Sequence, residues 1–117
     1  MGTQSAAERI FSLTDAREML PAVKAFTAEA VRQVERLASR LQAVPETDPQ
    51  HDELNAEIAD IVNQWADTVR EAGLEAKGLW LVDFDNGEGY YCWCYPEETI
   101  GHFHGYDDGF AGRVKII

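Results

Sequence analysis

Hydrophobic positions along this chain follow two periods, and the change from one to the other falls just after Gly73. Apolar or small residues recur three and four apart at Leu20, Val23, Thr27, Ala30, Val34, Leu37 and Leu41, with Val31 and Ala38 widening the stripe. That is the spacing of one buried face of an α-helix. Ser12, three residues before Asp15, supplies a capping box that satisfies backbone N–H groups of the first turn. The pattern predicts a helix over 11–43, with a kink or fresh start at Pro21, whose ring removes a donor and crowds the preceding turn. After the linker VPETD, Asp48-Pro49 reads as a cap followed by the residue best tolerated at the first helical position. Leu54, Ile58, Ile61, Val62, Trp65, Val69 and Ala72 make a second stripe. Gly73 ends it, and Leu74 is placed to pack back on the last turn. The second helix is predicted over 49–73, and the short linker makes the pair an antiparallel hairpin.

Beyond Gly73 the period drops to two. GLWLVDF and YYCWCY alternate, are rich in aromatic and β-branched residues, and flank Asn86-Gly87, a strong hairpin signal. A two-residue loop there pairs Val82 with Tyr91 and Trp80 with Trp93. One strand face then carries Trp80, Val82, Phe84, Tyr91, Trp93 and Tyr95, the apolar set expected to lie on the helices. The opposite face carries Leu79, Leu81, Asp83, Tyr90, Cys92 and Cys94. After PEET, residues 100–104 read as a third strand, so the meander spans 79–104 and a glycine-rich tail spans 105–117. The expected fold class is α+β: an antiparallel helical hairpin packed on a three-stranded antiparallel β-meander, one domain over 1–117.

Charge changes the list of partners. With 21 acidic against 10 basic residues the net charge is −11, which repels nucleic acid and anionic membrane surfaces. No stretch reaches the eighteen or so consecutive apolar residues of a membrane helix. The opening MGTQSAAERIF has no basic start or apolar run, so it does not read as a secretion signal. Its Met-Gly does not complete a lipidation motif, because Ser5 falls one position early. Cys92 and Cys94 sit at alternate positions of one strand, poorly placed to bond to each other. Together these features read as a cytoplasmic protein.

The segments FSLTDAREMLP, AGLEAKGL, VDF, CW, PE and FHGYDDGFAGR resemble a small prokaryotic family known as domain of unknown function 2203. The matching positions are Leu20-Pro21, Cys92-Trp93, Pro96-Glu97, Phe103-His104 and Gly109 to Arg113. Phe103 stands where the family usually has tryptophan, and Pro96 where it has glycine. The resemblance covers most of the chain and implies a common fold; the family supplies no activity. His104, Glu97 and Asp83 fall on motif positions, whereas Cys94 and His102 do not.

The densest chemistry lies in IGHFHGYDDGFAGR. His104, with Glu97, Asp83, Asp107 and Asp108 as acid partners, could hold a divalent cation; one imidazole with carboxylates suits zinc, manganese or iron. The same residues could instead hydrogen-bond turn carbonyls and cap the tail. Cys92-x-Cys94 with His102-x-His104 offers another zinc set, provided both pairs share a strand face. A two-residue loop at 97–98 separates them, whereas a three-residue loop at 97–99 unites them. A cysteine nucleophile lacks a glycine-flanked turn, and the glycines of the tail follow aspartates that would repel phosphate. Arg113 is expected to pair with an acid and pin the tail. His104 sits beside a glycine that lets its ring turn beyond the strand end, which makes it, and not His102, the functional histidine. No catalytic set emerges. The sequence favours a non-catalytic domain that self-associates through its long helices as a homo-oligomer, because the first helix outruns a three-stranded sheet. The alternative is a divalent-metal-binding protein or small metalloenzyme centred on His104.

Overall fold

Ser12 starts the first helix as its capping box predicts. Its hydroxyl accepts from the Asp15 amide at 3.0 Å while the Asp15 carboxylate accepts from the Ser12 amide at 3.3 Å. The structure, a computed structural model, describes residues 9–116; the N-terminal features weighed for secretion and lipidation lie outside that range. Helix α1 spans Leu13–Gln42 and α2 spans Pro49–Glu71. The break expected at Pro21 does not occur, and α1 runs through it. Only one backbone bond is forfeited there, and Ala16, Leu20 and Val23 on either side are buried in the core. Asp48 caps α2 by accepting from the Gln50 amide at 2.9 Å. At its far end Gly73 takes φ 87°, a conformation glycine adopts without strain. The Leu74 amide then returns to the Val69 carbonyl at 3.1 Å, which drops Leu74 into the core.

The sheet has five strands, not three, in the order β1 Glu75–Gly78, β2 Leu81–Asp85, β3 Gly89–Cys94, β4 His102–Gly105 and β5 Val114–Lys115. All neighbours are antiparallel. The two additional strands are the edges. EAKG carries charge and glycine in place of a clean alternation, and its pairing is broken by an irregularity between Ala76 and Gly78. Two residues, the length of β5, are too few to display a period.

The β2–β3 turn is longer than the two-residue loop expected. Asp85 pairs with Tyr90, and the Asn86 amide donates to the Gly89 carbonyl at 2.9 Å. Asn86 Oδ1 gathers the Glu88 and Gly89 amides at 2.8 Å each. Side-chain oxygens that collect amides in this way favour the wider turn. The register therefore shifts by two: Val82 pairs with Trp93 and Phe84 with Tyr91, not Val82 with Tyr91. A shift of two leaves every side chain on its expected face.

That face meets the helices. Val82, Phe84, Trp93 and Ile100 pack with Ala16, Leu20, Val23 and Trp65 in one core cluster. Phe11 meets Phe84 edge-on at 5.6 Å, and Trp65 meets Trp80 at 5.0 Å. Inside the hairpin the Trp65 indole N–H donates to the Thr27 hydroxyl at 2.8 Å, so the polar stripe position Thr27 has a buried partner. Thirty residues make α1 about 45 Å long, yet the buried members of the core cluster reach no further along it than Ala30. Val31, Leu37 and Leu54 are buried outside that cluster, in the part of the hairpin beyond the sheet. Among the described residues no helix is long and apolar enough to cross a membrane.

Candidate metal centre

On the face of the sheet turned away from the helices, alternation brings Asp83 of β2, Cys92 of β3 and His104 of β4 together. Asp83 pairs with Cys92, while His104 sits one row along, opposite Tyr90. One ligand-capable atom from each of the three lies within 4.8 Å of the others. All three residues are buried: Asp83 and Cys92 are 0% exposed and His104 is 3% exposed. The His104 Nδ1–H donates to the Gly105 carbonyl at 2.9 Å. A carbonyl only accepts, so this bond fixes the proton on Nδ1 and leaves Nε2 as the free position. Nε2 faces Asp83 Oδ2 at 2.9 Å. Two acceptors at that distance repel unless a proton or a cation lies between them. Burial pushes the Asp83 carboxyl up, against the downward pull of His104 and Cys92, which suits a shared proton in the metal-free protein. The other oxygen, Asp83 Oδ1, is buried with no hydrogen-bond partner. Burial, reinforced by the charge of Asp83, pushes the Cys92 thiol up to about 12.

The tail covers this face. Tyr106 donates its hydroxyl to Asp85 at 2.7 Å, and Gly105 donates its amide to Asp108 at 3.1 Å. Arg113 returns over the sheet, its guanidinium 4.2 Å from the Phe110 ring centre and its Nη1 3.8 Å from Cys92 Sγ. It grips Glu97 with both terminal nitrogens, at 3.1 and 2.6 Å. This is the acid that the expected tail-pinning arginine pairs with. Glu97 also accepts from the Cys94 amide at 2.9 Å. Burial alone would raise the Glu97 carboxyl, but the Arg113 and Cys94 hydrogen bonds outweigh it and hold the group below its ordinary value.

Of the acids proposed around His104, the structure brings only Asp83 to it. Glu97 is committed to Arg113, Asp108 closes the turn through Gly105, and Asp107 is exposed. The physical reason is the side on which the strand ends: the β3–β4 loop carries Glu97 to the end of the sheet away from His104. That loop runs from Tyr95 to Gly101, so the strand expected over 100–104 starts only at His102; it is longer than either loop considered and pairs Cys92 with His102. Its parity puts thiols and imidazoles on one face, as the three-residue alternative required. His102 nonetheless stays out of the cluster, and its Nδ1 lies 3.9 Å from Glu97.

Sequence reasoning set Cys92 beside His104 only in the alternative zinc set with Cys94 and His102, and did not join it to Asp83. The available signal was Asp83 itself, an acid inside an apolar strand, whose cross-strand partner under the adopted register is Cys92.

Fold and site together define a small α+β domain with a buried aspartate–cysteine–histidine cluster under a folded-back tail. The chain belongs to the family described as an uncharacterized conserved protein (DUF2203), whose sequence profile matches residues 9–116. No curated protein and no solved structure matches it.

Proposed function

We propose that this chain is a divalent-metal-binding domain, with His104 Nε2, Asp83 and Cys92 as ligands. The observation that carries the reading is the arrangement at His104. Its Nδ1–H is spent on a carbonyl, the usual outer partner of a ligating histidine. Its Nε2 is aimed at a buried carboxylate that has an unpartnered oxygen, with a thiol alongside. One nitrogen, one oxygen and one sulfur donor suit zinc, or iron(II), better than manganese, because a thiolate favours the softer ion. Three protein ligands leave a further position for water or substrate, as in catalytic zinc sites. Glu97, Asp107 and Asp108 are outside this set. The test is metal content after equilibration with zinc and gel filtration, on protein purified without an affinity tag. Wild type and His102→Ala retain one zinc per chain, and His104→Ala, Asp83→Asn and Cys92→Ser retain none. Equal zinc in all five, or none in wild type, contradicts the assignment.

A second reading, self-association through the helices, is favoured by the hairpin segment that extends past the sheet-backed core. Val34, Leu41, Ile58 and Val62 are only half-buried there. A second copy packing on this segment would complete their burial. Sedimentation at micromolar concentration reads a dimer or larger species under this account, and a monomer refutes it.

A further inference from the structure

A groove of about 670 Å³ runs between α1 and the β3–β4 loop, a volume in the range of small-molecule sites. It lies on the helix-covered side of the sheet, opposite the Asp83–Cys92–His104 cluster. Buried Leu20 and Trp93 line its inner side. One wall is a single face of α1, on which Pro21, Ala25 and Ala28 offer no long side chain, and the other carries Tyr95 and Pro96. Rings on both walls leave a slot suited to a flat apolar body.

Charge singles out one end of that slot. Lys24 is held by Glu98, at 2.9 Å to its carbonyl and 3.6 Å to its carboxylate, and Glu97 is neutralised by Arg113. Arg17 donates from Nη2 to the Ile100 carbonyl at 3.0 Å, and among the described residues it has no carboxylate partner. Of the two cations that line the groove it is therefore the one with no carboxylate partner, and its remaining N–H groups match a carboxylate in two-point geometry. Pro21 lies one turn further along the same face of α1, its ring exposed to the groove.

We propose that this groove binds a small aromatic carboxylic acid, its carboxylate on Arg17 and its ring between Pro21 and the Tyr95–Pro96 wall. The test is a heteronuclear NMR titration of the full chain with benzoate, 4-hydroxyphenylacetate and indole-3-acetate, with indole-3-ethanol as the neutral counterpart of the last. At least one acid shifts the resonances of Ala25, Ala28 and Tyr95 saturably, and the neutral alcohol binds about tenfold or more weakly. Arg17→Gln weakens the acid by a similar factor. Ala25→Leu, a substitution on an exposed helical position that leaves the melting temperature unchanged, blocks binding by filling the slot. No saturable shift from any of the three acids at millimolar concentration overturns the proposal. So does equal binding of acid and alcohol, or undiminished binding by both variants.

Discussion

Replacing Asp83 with asparagine separates a metal site from an ordinary buried ion pair, because the two accounts predict opposite effects on the metal-free protein. In the wild-type chain His104 Nε2 and Asp83 Oδ2 stand 2.9 Å apart, both buried, and the pair must hold a proton or a cation. Asparagine keeps the shape but presents an amide N–H to Nε2, which matches the tautomer fixed by Gly105. A neutral, matched hydrogen bond replaces a desolvated charge, and buried ion pairs are often no more stable than neutral substitutes. Metal-free Asp83→Asn should therefore be within about 1 kcal/mol of metal-free wild type, or more stable. Zinc at a hundredfold excess over its dissociation constant should then stabilise wild type by about 2.7 kcal/mol. For a domain of this size that is roughly 10 °C in melting temperature. The variant should gain nothing. The assay is a set of thermal melts with chelator and with zinc, for both proteins. A variant destabilised by about 3 kcal/mol or more in chelator, together with a wild type indifferent to zinc, would refute the reasoning and leave Asp83–His104 as a structural pair.

Two further outcomes bear on the frame around the site. Glu97→Gln should lower stability at neutral pH by about 1–3 kcal/mol, since it weakens charge-assisted bonds to Arg113. Because the folded protein holds the Glu97 carboxyl below its ordinary value of 4.5, its contribution is present above that value. It is lost as pH falls through the lower folded value, so the gap between variant and wild type should close in acid; a gap that is constant from neutral pH into acid contradicts the pairing. Thr27→Val should cost about 1–3 kcal/mol in urea melts by orphaning the Trp65 indole N–H, and a neutral result would mean that this N–H finds another partner.

The helices and the sheet faces were legible in the sequence because each rests on a period repeated many times. The cap at Ser12, the stop at Gly73 and the burial of Leu74 follow from local chemistry and stand as expected. Pro21 misled because tertiary packing of Leu20 and Val23 overrides a single lost backbone bond. The β2–β3 register slipped because the side chains of Asp85 and Asn86 collect the turn amides, which a dipeptide signal does not convey. At the site, the resemblance pointed to His104 and Asp83, whereas the alternation left the face of His104 to the length of the β3–β4 loop. Cys92 was hidden because its meeting with them depends on two registers at once. Glu97 was drawn toward His104 by its place in the sequence, whereas its true partner, Arg113, arrives from the far end of the tail.

Cobalt(II) substitution tests the metal-centre account most directly, because its spectrum reports the donor atoms as well as occupancy. Titration of the metal-free chain should produce thiolate-to-cobalt charge-transfer absorption in the near ultraviolet, saturating at one cobalt per chain. Cys92→Ser should abolish that band, His104→Ala should abolish binding, and His102→Ala should leave both intact. A wild-type chain that develops no such band, or a band that persists in Cys92→Ser, contradicts the account.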